Sequence, residues 1–220
     1  MWKSLKPLLQ LIYPPSCLMC FTAGSEICSN CKSTWQADVK LGQLLTIPLY
    51  FTNYYNPSIA KVILAAKENG NQISKELLAN SIVRSLRKAI TDQNLSGQIA
   101  LVSIPSSTAA IRKRGRDHIQ ELVKEIIGTA EIYNISIFYL PILSISKKIK
   151  DQSNLNKAQR ISNMSGAYLA IPPKIPIDNL IILDDLITTG ASIQEGIRAL
   201  SEIKLCPVAI ITACAVGAHL

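Results

Sequence analysis

The stretch Asn179 to Ser192, NLIILDDLITTGAS, limits what this chain can fold into more than any other segment. Four apolar residues run into two adjacent carboxylates, Asp184 and Asp185, and then into Thr-Thr-Gly-Ala-Ser, after which Ile193, Ile197 and Leu200 recur at helical spacing. A short run that is apolar throughout marks a strand buried on both faces, and a helix directly behind it completes a β–α unit. The same alternation recurs along the chain. QIALVSIP, ISIFYLPIL and PVAIITACAV read as further buried strands, and SIAKVILAAKENG, QISKELLANSIVRSLRKAI and ELVKEIIGTA as helical stretches. In the second of these helices Ile73, Leu77, Leu78, Ile82 and Leu86 make the apolar stripe, and Gly70 separates it from the first. Strands alternating with helices predict an α/β fold, a parallel sheet flanked by helices.

In such folds ligands sit beyond the carboxyl ends of the strands. Asp184 and Asp185 are expected there, where they can accept hydrogen bonds from two neighbouring hydroxyls of a sugar. Thr188, Thr189, Gly190, Ala191 and Ser192 follow in a turn that opens a helix, so backbone N–H groups and hydroxyls can converge on one phosphate. Gly190 lets the backbone approach closely. Acids for a diol beside a cradle for one phosphate describe a ribose 5-phosphate site. Two solvated aspartates and a helix cap are the plainer alternative, but a cap does not explain paired acids at a strand end. Neither G-x-x-x-x-G-K-[ST] nor G-x-G-x-x-G occurs.

The amino-terminal part carries a second constellation. Cys17, Cys20, Cys28 and Cys31 form two C-x2-C pairs, the spacing of two thiolate knuckles that close a tetrahedral zinc site. Disulfides are the alternative, but a cytosolic setting keeps thiols reduced, and so small a segment needs a staple to fold. A closed four-sulfur set leaves no open position, so the zinc is structural. Residues 1 to about 40 therefore read as a small zinc module, followed by a longer body from 41 to 220 that Pro48 and LYFTNYYNPS lead into. Cys206 and Cys214, in apolar surroundings, read as core residues. MWKSLKPLLQLIYPP lacks a long apolar core and a cleavage site, and no window approaches the ~18 apolar residues of a membrane span. The expected location is the cytoplasm. A formal charge of +8 favours polyanionic partners, nucleic acid or phosphorylated small molecules among them.

LIILDDLITTGAS resembles the thirteen-residue phosphoribosyl pyrophosphate (PRPP) motif of type I phosphoribosyltransferases, and that motif behind a four-cysteine module resembles the ComF family (ComFC type), competence-associated proteins. Further landmarks in matching order are Lys67 in LAAKENG, the Pro105-Ser106 turn in VSIPSST, RKRGRDH from Arg112 to His118, and Gln152, Leu155, Arg160 and Asn163. Four positions, in two places, depart. Where the family commonly reads Arg-Gly-Phe-Asn-Gln, this chain has Arg114, Gly115, Arg116, Asp117 and His118, and Ile149 stands where a Thr often does. A changed acceptor pocket is the expectation.

The resemblance implies a reaction in which PRPP loses pyrophosphate from C1 through an oxocarbenium-like state and a nucleophile adds there, with Mg2+ and basic groups on the leaving diphosphate. Asp184 and Asp185 would hold the ribose hydroxyls, directly or with Mg2+, and Thr188 to Ser192 the 5-phosphate. Ser106 and Ser107 stand where the family's pyrophosphate loop lies, with Arg112, Lys113, Arg114 and Arg116 just beyond. The segment SISKKIKDQSNLNKAQRISN resembles the loop that closes such sites, with Lys147, Lys148, Lys150, Gln152 and Arg160 as its candidates. His118 could serve as a base, although a helix-surface histidine with no identified partner is more often incidental. The resemblance equally supports a non-catalytic adaptor of DNA uptake that binds single-stranded DNA and a partner helicase of the ComF type. For it speak the basic runs at 84–88, 112–116 and 147–150; against it, no aromatic residues interleave with them.

Overall fold

The computed structural model describes residues 14–35, 38–146 and 164–217. Among them the order is α1 (Ser29–Trp35), β1 (Lys40–Leu44), β2 (Ile47–Tyr54), α2 (Pro57–Asn69), α3 (Gln72–Asp92), β3 (Ile99–Ser103), α4 (Thr108–Arg114), α5 (His118–Ile132), β4 (Ile137–Tyr139), β5 (Leu143–Ile145), β6 (Tyr168–Ala170), β7 (Asn179–Ile187), α6 (Ala191–Glu202) and β8 (Ala209–Ala215). This is an α/β protein built on a mostly parallel sheet of six strands, ordered β1-β2-β8-β7-β3-β4. Only β1 runs antiparallel, as the outer arm of a hairpin with β2.

Apolar side chains alternate to the two faces of β3, β7 and β8, as the period of a strand requires. Leu101, Ile181, Leu183 and Ile211 pack against α2, α3 and α5, and the four-cysteine segment joins that layer through Cys17, Ile27, Cys31 and Trp35. Val102, Leu180, Ile182 and Ile210 pack on the other side against α6, Leu44 and the small β5–β6 sheet. Every residue of β3 and β8 is buried, which is why these segments read as unbroken apolar runs.

The helices are set by local chemistry. Asn56 caps α2 by accepting from the N–H groups of Ser58 and Ile59, and Pro57 stands at its first position, where its missing N–H is not needed. Gly70, in the left-handed conformation at φ 67°, ends α2, and Asn71 caps α3 at once. The separation at Gly70 is thus the one that the sequence predicts.

The aromatic stretch after Pro48, which the sequence places at the entry to the longer body, is β2, paired in parallel with β8 from Leu49 to Tyr54. Two expectations need correction. ISIFYLPIL is not one strand. Pro141, with no N–H to give a ladder, divides it into β4 in the main sheet and β5, which pairs with β6 in a separate two-stranded sheet. Cys214 is buried but Cys206 is exposed, so only the former is a core residue.

Candidate functional site

From β3 the chain passes through α4 and α5 to β4, on one side; from β7 it passes through α6 to β8, on the other. The adjacent strands β3 and β7 therefore flank a topological switch point, the place where α/β sheets open a crevice for ligands. Ser106 and Ser107 come from the β3 side, and Asp184 to Ser192 from the β7 side.

The strand β7 continues past the two acids to Ile187, still paired with Ala215 of β8. Asp184 and Asp185 are thus held rigidly within a ladder, and they lie in different surroundings. Asp185 is 3% exposed. Its Oδ2 lies 3.4 Å from Lys67 Nζ of α2 and 3.4 Å from His118 Nε2 at the start of α5, with hydrogen-bond alignment to neither. Burial pushes its carboxyl up, but Lys67 and then His118 outweigh burial and hold it well below the ordinary aspartate range. The same carboxylate raises Lys67. Asp184 is half-buried, and its Oδ1 accepts from the Asp185 N–H at 2.9 Å. Burial first, and then the charge of Asp185, push its carboxyl well above the usual value. The pair therefore divides its work: Asp185 is ionised and committed to the protein, and Asp184 is the more open carboxyl. The phenol of Tyr168 on β6 is pushed up by burial and by the charge of Asp184, and held back by a hydrogen bond with Ser192.

Thr188, Thr189 and Ser192 are partly exposed, whereas Gly190 and Ala191 are buried. Gly190 is the residue before α6, at φ 74° and ψ 0°, and no side chain caps the helix there. Thr189 Oγ1 accepts from Ala191 N–H at 3.4 Å. The turn is roofed by β1, since a Cβ on Gly190 would stand 2.7 Å from Leu44 Cδ1. Gly190→Ala is therefore expected to cost ~1–2 kcal/mol from the left-handed backbone and more from displacing Leu44. Gly115→Ala, at φ 70° with open space around it, carries the backbone cost alone. Urea unfolding of the two variants measures the difference, and equal losses would show that Leu44 gives way freely.

Around the β3 side, Ser106 Oγ lies 3.2 Å from His118 Nδ1, and Ser107 caps α4 by accepting from Ala110 N–H. Arg112 and Lys113 are exposed. Arg114 is not a solvated side chain: it is 6% exposed, pairs with Glu68 at 3.2 Å, and its Nε–H has no hydrogen-bond partner among the described residues. Arg116 donates to the carbonyls of Ala66 and Lys67 and pairs with Glu121, so it pins the end of α2 that presents Lys67. The crevice thus brings together Asp184, Asp185, Lys67, Ser106, Arg114 and the 188–192 turn. Gln152, Arg160, Lys147, Lys148 and Lys150 lie outside the described residues. His118 has the partner that its sequence context does not reveal. The only hint is its place one residue after Asp117, the side chain that caps α5, which fixes the ring at a helix start facing β7.

The Sγ atoms of Cys17, Cys20, Cys28 and Cys31 all lie within 4.8 Å of one another, and those of Cys20 and Cys28 are 3.6 Å apart. Four thiolates at ~2.3 Å from one zinc ion stand ~3.8 Å apart, so the set fits a metal such as zinc, and none of these sulfurs is in a disulfide. Burial opposes ionisation of Cys17, but backbone N–H groups of Cys20, Cys28 and Met19 bring it down to about 6, while burial and the neighbouring thiols push Cys31 up to about 12. Such a cluster is fully ionised only around a cation. Two hollows lie beside this module: one of about 440 Å3 between Trp35, Leu77 and Tyr133, and one of about 360 Å3 beside Cys20, Lys40 and Tyr54. No helix among the described residues is long and apolar enough to cross a membrane. No protein-family model matches the chain, and no curated protein matches it.

Proposed function

We propose that the chain binds PRPP, or another ribose 5-phosphate ligand, with Mg2+ in the β3–β7 crevice, as a type I phosphoribosyltransferase-like protein of the ComF type, and transfers the phosphoribosyl group to an acceptor. One observation carries this reading: the 188–192 turn and Asp184 stand on one lip of a switch-point crevice, and the Ser106–Ser107 turn with Lys67 and Arg114 on the other. The order of groups across the crevice matches a ligand with a phosphate at one end, a diol in the middle and a diphosphate at the other. The N–H groups of the 188–192 turn would hold the 5-phosphate at the uncapped start of α6. Asp184 would accept from the ribose hydroxyls, while Asp185 fixes Lys67 beside the crevice. Lys67 and the spare N–H of Arg114 would meet the diphosphate and stabilise its charge as it leaves. Mg2+ arriving with the diphosphate supplies further charge neutralisation, and a carboxylate not tied to a cation of the protein, as in Asp184, is the donor suited to it. The zinc module would serve as a brace, and the reduced thiols that it needs agree with a cytoplasmic location.

Calorimetric titration of the full chain with PRPP and Mg2+ tests this, beside Asp184→Ala and the Asp184→Ala/Asp185→Ala double variant. Saturable binding by the wild type and at least ~100-fold weaker binding in either variant is the expected result, since the diol loses the carboxyl that accepts from it. No binding by a folded, zinc-loaded wild type removes the reading.

A second reading, a nucleic-acid adaptor for DNA uptake acting with single-stranded DNA and a helicase, has one observation in its favour. The guanidinium of Arg87 lies over the exposed ring of Tyr133 at 4.7 Å, beside Arg84, so an aromatic does accompany a basic run, although it is distant in sequence. The salt slope of oligonucleotide binding separates this reading from the first.

A further inference from the structure

We propose that Ser106, His118 and Asp185 form a proton relay that makes Ser106 Oγ a nucleophile toward phosphorus, so that the crevice can take a phosphoryl group onto the protein from a phosphate ester or anhydride. The three side chains come from three elements: the turn after β3, the first residue of α5, and β7. Ser106 Oγ stands 3.2 Å from His118 Nδ1, and the other ring nitrogen, Nε2, stands 3.4 Å from Asp185 Oδ2. The inner end is sealed. The side chains of His118 and Asp185 are 10% and 4% exposed, and behind them remains only a cavity of about 10 Å3, room for about one water. The outer end is open, because Ser106 lines the crevice and is partly exposed.

The polarity of the relay follows from the carboxylate. Lys67 at 3.4 Å from the same Oδ2 keeps Asp185 ionised, and an ionised carboxylate draws the ring proton to Nε2. Nδ1 then carries the lone pair, and among the described residues the Ser106 hydroxyl is the donor that faces it. The Ser106–His118 contact is the one through which an imidazole removes a hydroxyl proton, and Asp185, at ion-pair distance from Nε2 rather than in an aligned hydrogen bond, stands on the side from which a buried aspartate selects the tautomer. In the step, a bond forms from Ser106 Oγ to phosphorus and the bond from phosphorus to the leaving oxygen breaks, its electron pair staying with that oxygen. The Oγ proton passes to Nδ1 and from there to the leaving oxygen. Asp185 remains a carboxylate throughout and acts as a positioning residue. Phosphorus is favoured over a carboxyl carbon because the cations here, Lys67 and the buried Arg114 with an unpartnered Nε–H, suit a ligand that brings several anionic oxygens. Ser107 serves as a contrast in the same turn. Its oxygen accepts from Ala110 N–H, and no histidine faces it.

The full chain, treated with a fluorophosphonate and fragmented for mass spectrometry, gives the test, which needs no PRPP and so stands or falls apart from the function proposed above. Attack forms the O–P bond and releases fluoride, and the proton goes to His118. Ser106 is expected to be labelled about 100-fold faster than Ser107, the usual range for a positioned base, and His118→Gln is expected to remove that preference. In Asp185→Asn, 15N spectra should show the His118 proton no longer fixed on Nε2, a change that a merely structural aspartate would not produce. If His118→Gln does not fold, the Ser106-to-Ser107 ratio in the wild type decides. Equal labelling of the two serines, or a proton on Nδ1 in the wild type, overturns the proposal.

Discussion

Removing with a chelator the metal ion that the four-cysteine set fits, zinc above all, is expected to lower the melting temperature sharply and to move Trp35 from the core into water. A structural zinc site contributes ~10–16 kcal/mol of apparent binding free energy in small modules, all of which is folding free energy when the site does not exist unfolded. Here the loss spreads, because the module shares the core of the main domain. Cys17, Ile27, Cys31 and Trp35 belong to the same apolar cluster as Leu78, Ile82 and Leu86 of α3. Trp35 Nε1–H donates to Ser81 Oγ at 2.6 Å, and Asn71, the cap of α3, donates to Glu26 of the cysteine loop at 2.6 Å. A chelator should therefore red-shift tryptophan emission and expose the α3 face along with the module. Cys31→Ser should do the same without chelator, and Cys214→Ser, far from the centre, should leave the zinc content unchanged. If the metal-free protein melts like the loaded one, the four cysteines do not brace the fold.

The parts of this architecture that were legible in the sequence are those where burial is uniform. β3, β7 and β8 are central strands covered on both faces, so they carry unbroken apolar runs, Leu180 to Leu183 and Ala209 to Ile211 among them, and the segments stand out. The helices carry their caps in the chain itself, Asn56 with Pro57 and Gly70 with Asn71. β1 was not legible, because an edge strand with one wet face, KLGQL, alternates and contains a glycine. β4 and β5 each hold three residues, too few for a period to be read. At the site, the residue types of the β7 turn and of the cysteine centre announced themselves by spacing. The partners of Asp185 did not: Lys67 and His118 are 118 and 67 positions away, and only the packing of α2 and α5 on one face of the sheet brings them to one oxygen.

Lys67→Met is expected to cost more stability than the Lys67→Met/Asp185→Asn double variant. The single change leaves a carboxylate that is 3% exposed without its lysine and facing the His118 ring at 3.4 Å, and breaking a buried pair from one side typically costs ~3–5 kcal/mol. Because Lys67 is 35% exposed, its charge is partly screened, and about 2–3 kcal/mol is the expected loss. Removing the charge of Asp185 as well should recover part of it. The pH dependence gives the sign. The folded-state pKa of Asp185 lies below its unfolded value near 3.9, so its ionisation stabilises the fold above that pH and the contribution is lost as pH falls through the folded value. Without Lys67, the strongest of the influences that lower it, burial has less to oppose it and the folded value rises. The share of Asp185 in the acid limb of the stability curve must then shrink in Lys67→Met, because the gap between its folded and unfolded values narrows, and the double variant, with no carboxyl at that position, must lack it altogether. Urea unfolding across the acid range reads both effects. An acid limb of the same size in wild type and Lys67→Met would mean that His118 alone keeps the carboxylate ionised, and that Lys67 is free to serve a ligand.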